Sequence, residues 1–297
     1  MGVCAISRTV SVVIPALNEG QNLIDTVASV RANSGPLDPE VIVVDDGSTD
    51  GSPQRVAGRF ADDPKVRVTA GPGEGIARTR NAGAEAAQGE IVVFLDAHCY
   101  TRPGWLAPLT DPFANPAVAL TGPAIASIRA PTGLACGVTW TDPSLSNVWL
   151  PATTTGPVPF HIGACQAVRA ETFARVGGFD AGMTRWGSED VELCLRLWLL
   201  GHEVHAAPQS VVFHLFREAR PYRVDARLIL YNHLRLALLH FDETRLEKVV
   251  AQILRWDVAA SAIVLALTGD VAAERAALQT ARVRDAEWFF RSFGIGF

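Results

Sequence analysis

Short apolar segments alternate with helical patterns through the first hundred residues, and this alternation limits the fold more than any other feature of the chain. Between the first two segments, Leu23, Val27 and Val30 recur at i, i+4 and i+7, which is one face of a helix. Strands that recur with helices between them predict βαβ units and a mostly parallel sheet flanked by helices. The sequence therefore predicts an α/β protein with its first four strands at residues 10–14, 40–44, 66–69 and 91–95.

Polar side chains follow three of these four strands. Ligands of open parallel sheets bind beyond the carboxyl ends of the strands. The sequence therefore predicts a ligand site at that edge of the sheet, close to Asn18, Glu19, Asp45, Asp46 and Asp96.

The regular alternation ends near residue 100. Residues 101–160 are rich in Pro, Gly and Thr, whereas the chain after about residue 221 has purely helical patterns. One apolar stripe there, which we interpret as a packing surface, consists of Val249, Ile253, Trp256 and Ala260. We therefore divide the chain into residues 1–100, residues 101–220 and a helical C-terminal extension, residues 221–297.

Composition excludes several classes of protein. The formal net charge is −5 and the basic residues are scattered, so neither a nucleic-acid partner nor a polybasic membrane anchor is expected. Five cysteines occur singly, which is typical of reduced thiols in a cytoplasmic protein. The apolar stretch at residues 258–267 is far shorter than the ~20 residues of a transmembrane helix. We therefore expect a cytoplasmic protein without a transmembrane segment, with its oligomeric state left open.

Asp96 and His98 follow the fourth strand as the motif DxH. In an extended segment, residues two apart point the same way, so these two side chains can converge on one ion. A carboxylate with an imidazole suits Mn²⁺ better than Mg²⁺, which prefers oxygen ligands. Such a short motif also occurs by chance, but its position just past a buried strand favours a metal site.

Several longer segments resemble a known family. VSVVIPALNE, VIVVDDGSTD and GIARTRNAGAEAAQGEIVVFLDAHC resemble the nucleotide-binding half of family 2 glycosyltransferases, which have the Rossmann-like GT-A fold. DAHC, GGFDAGMTRWGSEDVELCLRLWLLG and VVFHLFR are more specifically similar to polypeptide N-acetylgalactosaminyltransferases. The resemblance makes residues 1–100 the nucleotide-sugar-binding half and residues 101–220 the acceptor-binding and catalytic half of one GT-A domain. The helical extension lies outside it.

The resemblance also implies roles for individual residues. Asp96, His98 and His214 would hold Mn²⁺ or another divalent cation, although a histidine in the position of His214 can also be simply packed. Asp46 would contact the uracil ring, although DDGSTDG is also rich in turn formers. Arg80 would lie near the donor diphosphate. The complete set of expected donor contacts is Pro15, Ala16, Asn18, Glu19, Asp46, Arg80, Asp96, Ala97 and Trp186.

Glu189 and Asp190 admit two interpretations. Ser188 is a suitable helix N-cap, and acids in a first turn favour the helix dipole. In family 2 enzymes, however, the aspartate of this pair is the general base, and a helix N-terminus keeps a carboxylate ionised. We assign Asp190 as base and Glu189 to contact with acceptor or sugar. Polypeptide-modifying relatives resemble WGGEN here, so Asp190 departs from them and favours an inverting reaction.

These observations predict a metal-dependent hexosyl- or N-acetylhexosaminyltransferase. It would move a sugar from a nucleotide-diphosphate donor, a UDP-sugar, to a hydroxyl or peptide side chain of a peptide, glycan or small molecule. A retaining N-acetylgalactosaminyltransferase-like enzyme is the main alternative. A nucleotidyltransferase would need a Gly-rich basic signature near the N-terminus, and VIPALNE does not match one. A non-catalytic nucleotide-sugar-binding protein is the remaining alternative.

Overall fold

The computed structural model describes residues 9–217, 221 and 223–297. Within these residues the strands are β1 Val10–Ala16, β2 Glu40–Asp45, β3 Val66–Ala70, β4 Ile91–Leu95, β5 Cys99–Thr101, β6 Val118–Ser127, β7 Ala130–Thr139, β8 Val148–Pro151, β9 Gly156–Pro157, β10 Cys165–Arg169 and β11 Glu203–His214. The α-helices are α1 Gln21–Asn33, α2 Ser52–Arg59, α3 Ile76–Ala86, α4 Leu106–Thr110, α5 Ala170–Arg175, α6 Glu189–Leu199, α7 Ala226–His240, α8 Glu243–Ile253, α9 Ala259–Leu267, α10 Val271–Ala281 and α11 Ala286–Ser292.

The strands form one sheet in the order β3-β2-β1-β4-β10-β6-β11-β5, with β7 and β8 continuing from β6 and β9 pairing with β11. The four predicted strands are parallel to one another. Beyond β4 the sheet is mixed, because β10 enters antiparallel between β4 and β6. The α/β class is confirmed. The strands of the N-terminal half are all parallel, and further along the sheet β11 also pairs in parallel with β6.

The central strands are buried on both faces. Val12 and Ile14 of β1 join the core against α1, whereas Val13 joins the core against α6 and α7. This division follows the two-residue period of a strand. The chain crosses to opposite sides of β1 to reach β2 and β4, so the carboxyl ends of β1 and β4 border a crevice in which ligands of such sheets bind.

The C-terminal helices share a core with the rest of the chain. Phe94 of β4, Trp140, Phe241 and Phe289 belong to one buried cluster. The predicted boundaries near residues 100 and 220 therefore divide a continuous core, and the assignment of three segments stays a prediction. Among the described residues, no helix is both long and apolar enough to cross a membrane.

The predicted apolar stripe of the extension is only half buried. Val249 and Ile253 are buried, but α8 ends at Ile253 and the exposed fraction of Trp256 is 58%. The helical spacing that would have turned Trp256 inward is interrupted at that point, and Ala260 is exposed as well. The prediction that this whole stripe forms a packing surface was therefore wrong beyond Ile253.

A buried ionic network joins α6 to α7. Glu192 accepts hydrogen bonds from Arg196 Nε and from His240 Nε2, both at 2.8 Å. Burial alone would raise the pKa of Glu192, but the charge of Arg196 and the hydrogen bond from His240 outweigh it and lower that pKa to about 2. Glu192 is therefore a buried carboxylate that stays ionised at neutral pH.

Replacing Glu192 with Gln is expected to lower the free energy of unfolding by about 3–5 kcal/mol, because the buried Arg196 loses its charged partner. Since folding lowers the pKa of Glu192 from 4.5 to about 2, its contribution is present above pH 4.5 and is lost as the pH falls toward 2. Chemical denaturation at pH 7 and pH 3 measures both effects. Glu247→Gln, at an exposed position of α8, is the control and should change stability by less than about 0.5 kcal/mol. An equal loss in both variants would contradict the assignment.

Candidate active site

A cleft of about 930 Å³ opens at the carboxyl ends of β1 and β4. The N-terminal ends of α3 and α6 border it, and α7 forms another wall. The structure brings nearly all of the predicted site residues to this cleft. Those that line it are Pro15, Ala16, Glu19, Asp46, Arg80, Asp96, Ala97, His98, Trp186, Glu189, Asp190 and His214.

Asn18 is the predicted site residue that does not line this cleft. Its side-chain oxygen accepts a hydrogen bond from the backbone amide of Thr49 at 2.8 Å, and its backbone amide donates to Ser48 Oγ at 3.0 Å. The backbone of Asn18 has a φ of 57°, a left-handed conformation that asparagine tolerates better than most residues. Asn18 therefore holds the loop after β1 against the loop after β2.

Asp46 lines the cleft and also holds neighbouring backbone in place. Its carboxylate accepts hydrogen bonds from the Thr79 hydroxyl at 2.5 Å and the Gly75 amide at 3.1 Å. These bonds attach the loop after β2 to the start of α3. The structural and the ligand-binding interpretations of Asp46 are therefore compatible.

Asp96, His98 and His214 form a candidate metal centre. One potential ligand atom from each residue lies within 4.8 Å of the other two. The His98 and His214 rings are 4.7 Å apart between centroids, and His214 Nε2 is 3.5 Å from Asp96 Oδ2. His98 Nδ1 lies 3.3 Å from Glu19 Oε2, whereas within the described part of the chain the buried His214 Nδ1 has no hydrogen-bond partner. A carboxylate and two imidazoles with ligand atoms this close together suit a divalent transition metal.

β11 supplies the third member of this cluster. His214 is the last residue of β11 and pairs with Cys99 of β5, directly after the segment that carries Asp96 and His98. The prediction from sequence placed His214 by resemblance alone. The antiparallel pairing of β11 with β5 provides the physical reason for its position, since it brings residues more than a hundred positions apart in the chain side by side.

Arg80 connects the candidate metal centre to the acidic pair, Glu189 and Asp190. Its guanidinium donates to Asp96 Oδ1 at 2.8 Å, to Glu189 Oε1 at 2.9 Å and to the Gly163 carbonyl at 2.7 Å. Burial alone would raise the pKa of Asp96, but hydrogen bonding from His214 and the charges of Arg80 and His98 lower it well below its ordinary range. Arg80 lines the cleft where a diphosphate contact was predicted, yet its terminal nitrogens already bind carboxylates.

Glu189 and Asp190 start α6, but not with the predicted cap. Ser188 has a φ of 71° and its side chain makes no capping hydrogen bond. Glu189 is buried against Arg80, whereas Asp190 is only half buried. The carboxylate of Asp190 accepts hydrogen bonds from the backbone amides of Gly163 at 2.6 Å and Val191 at 2.8 Å.

The pKa values of Glu189 and Asp190 also differ from the expectation that a helix N-terminus keeps a carboxylate ionised. Burial and the adjacent Asp190 charge raise the pKa of Glu189 to about 7, although Arg80 opposes the shift. Burial raises the pKa of Asp190 as well, despite the hydrogen bond from Gly163. The helix N-terminus was expected to keep Asp190 ionised, and burial works against that effect. The pair therefore binds a proton more readily than two isolated carboxylates do.

Several residues that line the cleft were not predicted from the sequence. Arg217 contacts the carboxylate of Glu19. It is the last residue of the VVFHLFR segment, so the resemblance of that segment to a known family could have pointed to it. Leu228, Ile229 and His233 of α7 also line the cleft. Their helix showed only an apolar packing pattern, so nothing in the sequence marked them as part of a site.

An exposed aromatic pair lies beside the metal cluster. Phe216 contacts the ring of His214, with 4.3 Å between centroids, and Trp149 lies 6.2 Å from Phe216 in an edge-to-face arrangement. The exposed fractions of Trp149 and Phe216 are 40% and 41%. Two large aromatic side chains that stay exposed at the edge of a cleft are typical of a ligand contact surface.

Comparison with known proteins identifies the class to which this site belongs. A family model described as Glycosyl transferase family 2 matches residues 11–177, which is more than half of the chain. The chain therefore belongs to glycosyl transferase family 2. A second model, described as the N-terminal domain of galactosyltransferase, matches residues 154–218, which include the acidic pair and His214.

Among similar proteins, Polypeptide N-acetylgalactosaminyltransferase 10 of Mus musculus is 33% identical over 78% of this chain and 42% of its own length. The Putative polypeptide N-acetylgalactosaminyltransferase 9 of Drosophila melanogaster is 32% identical over 74% of this chain and 38% of its own length. The chain thus spans less than half the length of these curated relatives.

Solved structures agree with the predicted GT-A fold. The structure of GalNAc-T7 with UDP, GalNAc and Mn²⁺ superposes with a TM-score of 0.80 at 22% identity, covering 97% of this chain and 56% of that one. A mannosyltransferase from Pyrobaculum calidifontis in complex with GDP-Man and Mn²⁺ gives a TM-score of 0.59 at 21% identity, covering 97% of this chain and 82% of that one. The fold class expected from the sequence is therefore confirmed.

Proposed function

We propose that this protein is a metal-dependent glycosyltransferase that uses a nucleotide-diphosphate sugar, most simply a UDP-sugar. The observation that carries the proposal is the shared cleft, in which the cluster of Asp96, His98 and His214 lies one guanidinium away from Glu189 and Asp190. A metal cluster beside a carboxylate pair is what transfer from a diphosphate donor to a hydroxyl requires.

The candidate residues have different roles on the two sides of the cleft. Asp96, His98 and His214 would hold Mn²⁺, which as a Lewis acid stabilises charge on the departing diphosphate. Asp46, at the carboxyl end of β2, would contact the base of the nucleotide. Asp190, which is half buried at the start of α6, would accept the proton of the acceptor hydroxyl.

The exposed aromatic pair supports a peptide or glycan acceptor. Phe216 contacts His214 and Trp149 contacts Phe216, and grooves lined by aromatic side chains bind proline-rich peptides. Relatives named as polypeptide N-acetylgalactosaminyltransferases make a peptide side chain the first acceptor to examine. The donor sugar would then be an N-acetylhexosamine.

We further propose that the transfer inverts the anomeric centre. Inversion requires a base opposite the leaving diphosphate, and Asp190 supplies a carboxylate in the cleft. A retaining reaction is the second candidate, and the similarity to polypeptide N-acetylgalactosaminyltransferases favours it.

We also propose a cytoplasmic location. Among the described residues, Cys99, Cys136, Cys165 and Cys194 are free thiols, as is typical of cytoplasmic proteins.

A thermal-shift screen of UDP- and GDP-sugars, with and without Mn²⁺, tests the donor. We expect a UDP-sugar to raise the melting temperature only in the presence of the ion, because an ion held by Asp96, His98 and His214 would supply positive charge for the diphosphate. Nuclear magnetic resonance of the product then reads its anomeric configuration, and an α-linked donor should give a β-linked product. An α-linked product would support the retaining reaction and remove Asp190 from the role of base.

A further inference from the structure

The loop that leads into the acidic pair has an unfavourable backbone. Arg185 and Ser188 have φ values of 57° and 71°, and Gly187 has a φ of 111°. Left-handed conformations at two residues other than glycine persist only where surrounding contacts enforce them. This loop, residues 182–188, carries Trp186 into the cleft and ends where Glu189 and Asp190 begin.

One buried side chain supplies most of the polar contacts that hold this loop on its α7 side. Asn232, whose exposed fraction is 1%, accepts a hydrogen bond from the Thr184 amide at 3.0 Å. Its amide nitrogen, which has two protons to donate, lies within hydrogen-bond distance of three carbonyls: those of Thr184 at 3.0 Å, Trp186 at 3.3 Å and Gly187 at 2.9 Å. Asn232 thus contacts three residues of the loop through both ends of its amide.

Neighbouring residues of α7 extend this attachment. The Tyr231 hydroxyl donates to the Gly182 carbonyl at 3.0 Å, and Arg235 binds the Asp180 carboxylate at 2.7 and 2.9 Å. On its other side the loop meets the start of α3, where the Ile76 amide donates to the Arg185 carbonyl at 2.9 Å. The loop is therefore held between α3 and α7.

We infer that Asn232 is a positioning residue for the proposed transfer: it fixes the loop so that Trp186, Glu189 and Asp190 face the cleft. The inference rests on the proposed function. It assigns to α7, which lies beyond both matched family models, a part in the geometry of the site.

Asn232→Ala removes all of these polar contacts and tests the inference. A displaced site of this kind is expected to lower kcat by about 100-fold. The affinity for UDP with Mn²⁺ should fall far less, because Asp46, Asp96, His98 and His214 lie on other elements and Trp186 is the one expected donor contact that the loop carries. Hydrogen exchange of residues 182–188 should become faster, with β1 and β4 unchanged. Asn232→Asp keeps the acceptor for Thr184 but turns an oxygen toward three carbonyls, so it should resemble the alanine variant.

Leu234→Ala is the matched control, since Leu234 is buried on another face of the same helix. It should destabilise the fold yet leave kcat and loop exchange close to those of the wild type. Unchanged exchange in Asn232→Ala, or faster exchange with unaltered kcat, would overturn the inference. A wild-type protein that transfers no sugar would refute the proposed function instead, and the exchange measurement would still decide whether Asn232 holds the loop.

Discussion

Replacing Asp190 with Asn is expected to lower kcat by about 10²–10⁴-fold, the contribution of a general base. The variant keeps the size of the side chain but cannot accept a proton. Both carboxylate oxygens of Asp190 accept backbone hydrogen bonds, from Gly163 and Val191, and an amide can satisfy only one of them. A small loss of stability should therefore accompany the loss of turnover, and it is measured separately by thermal unfolding.

The pH profile of the wild type provides an independent check. A base works in its deprotonated form, and the pKa of the neighbouring Glu189 is raised to about 7. The acidic pair should therefore bind a proton near neutrality. Burial also raises the pKa of Asp190, so kcat should fall on acidification at a higher pH than the ordinary pKa of an aspartate would predict. Nucleotide affinity in Asp190→Asn serves as the control and should match the wild type. Near-normal turnover in this variant would remove Asp190 from the mechanism.

Loss of the metal cluster is expected to have a comparably large effect. Excess chelator should abolish transfer, and Mn²⁺ or Co²⁺ should restore it. His214→Ala should weaken metal affinity by more than about 100-fold, since even residues that merely support a ligand contribute 10- to 100-fold. Calorimetric titration of Mn²⁺ in the presence of UDP measures this affinity, and the variant should remain folded.

His205→Ala is a matched control for this experiment. His205 lies on β11, as His214 does, but its ring pairs with Glu203 outside the cluster. It should bind the ion as the wild type does. Full activity in chelator, or equal metal affinity in both histidine variants, would contradict the assigned centre.

The sequence predicted local features well because their signals are local. Each of the four parallel strands is a short apolar run, and Asp96 and His98 lie two residues apart directly after one of them. The resemblance to known motifs added His214, which strand pairing brings to the cleft, and the acidic pair, which lies there at the start of α6. The positions of these side chains agree with prediction, whereas their roles stay predictions.

Features that depend on packing could not be predicted in this way. Nothing in the sequence indicated that Arg80 would be buried between two carboxylates, because that contact depends on how α3 meets α6. Asn232 lay within an apolar helical pattern, where a polar residue carries no positional signal. Ser188 was expected to cap α6, but the left-handed backbone at this residue turns its side chain away from that use.

The position of Arg80 has a consequence for how substitutions combine. One guanidinium offsets the charge of Asp96, a candidate metal ligand, and of Glu189, which we proposed to contact acceptor or sugar. Changing either carboxylate alters the electrostatic balance that the other one experiences, so their effects should not add. Substitutions in the DxH motif and in the acidic pair are therefore expected to be epistatic through Arg80. In a chimera that took one of these two motifs from a relative, Arg80 would stay matched only to the motif that was left in place.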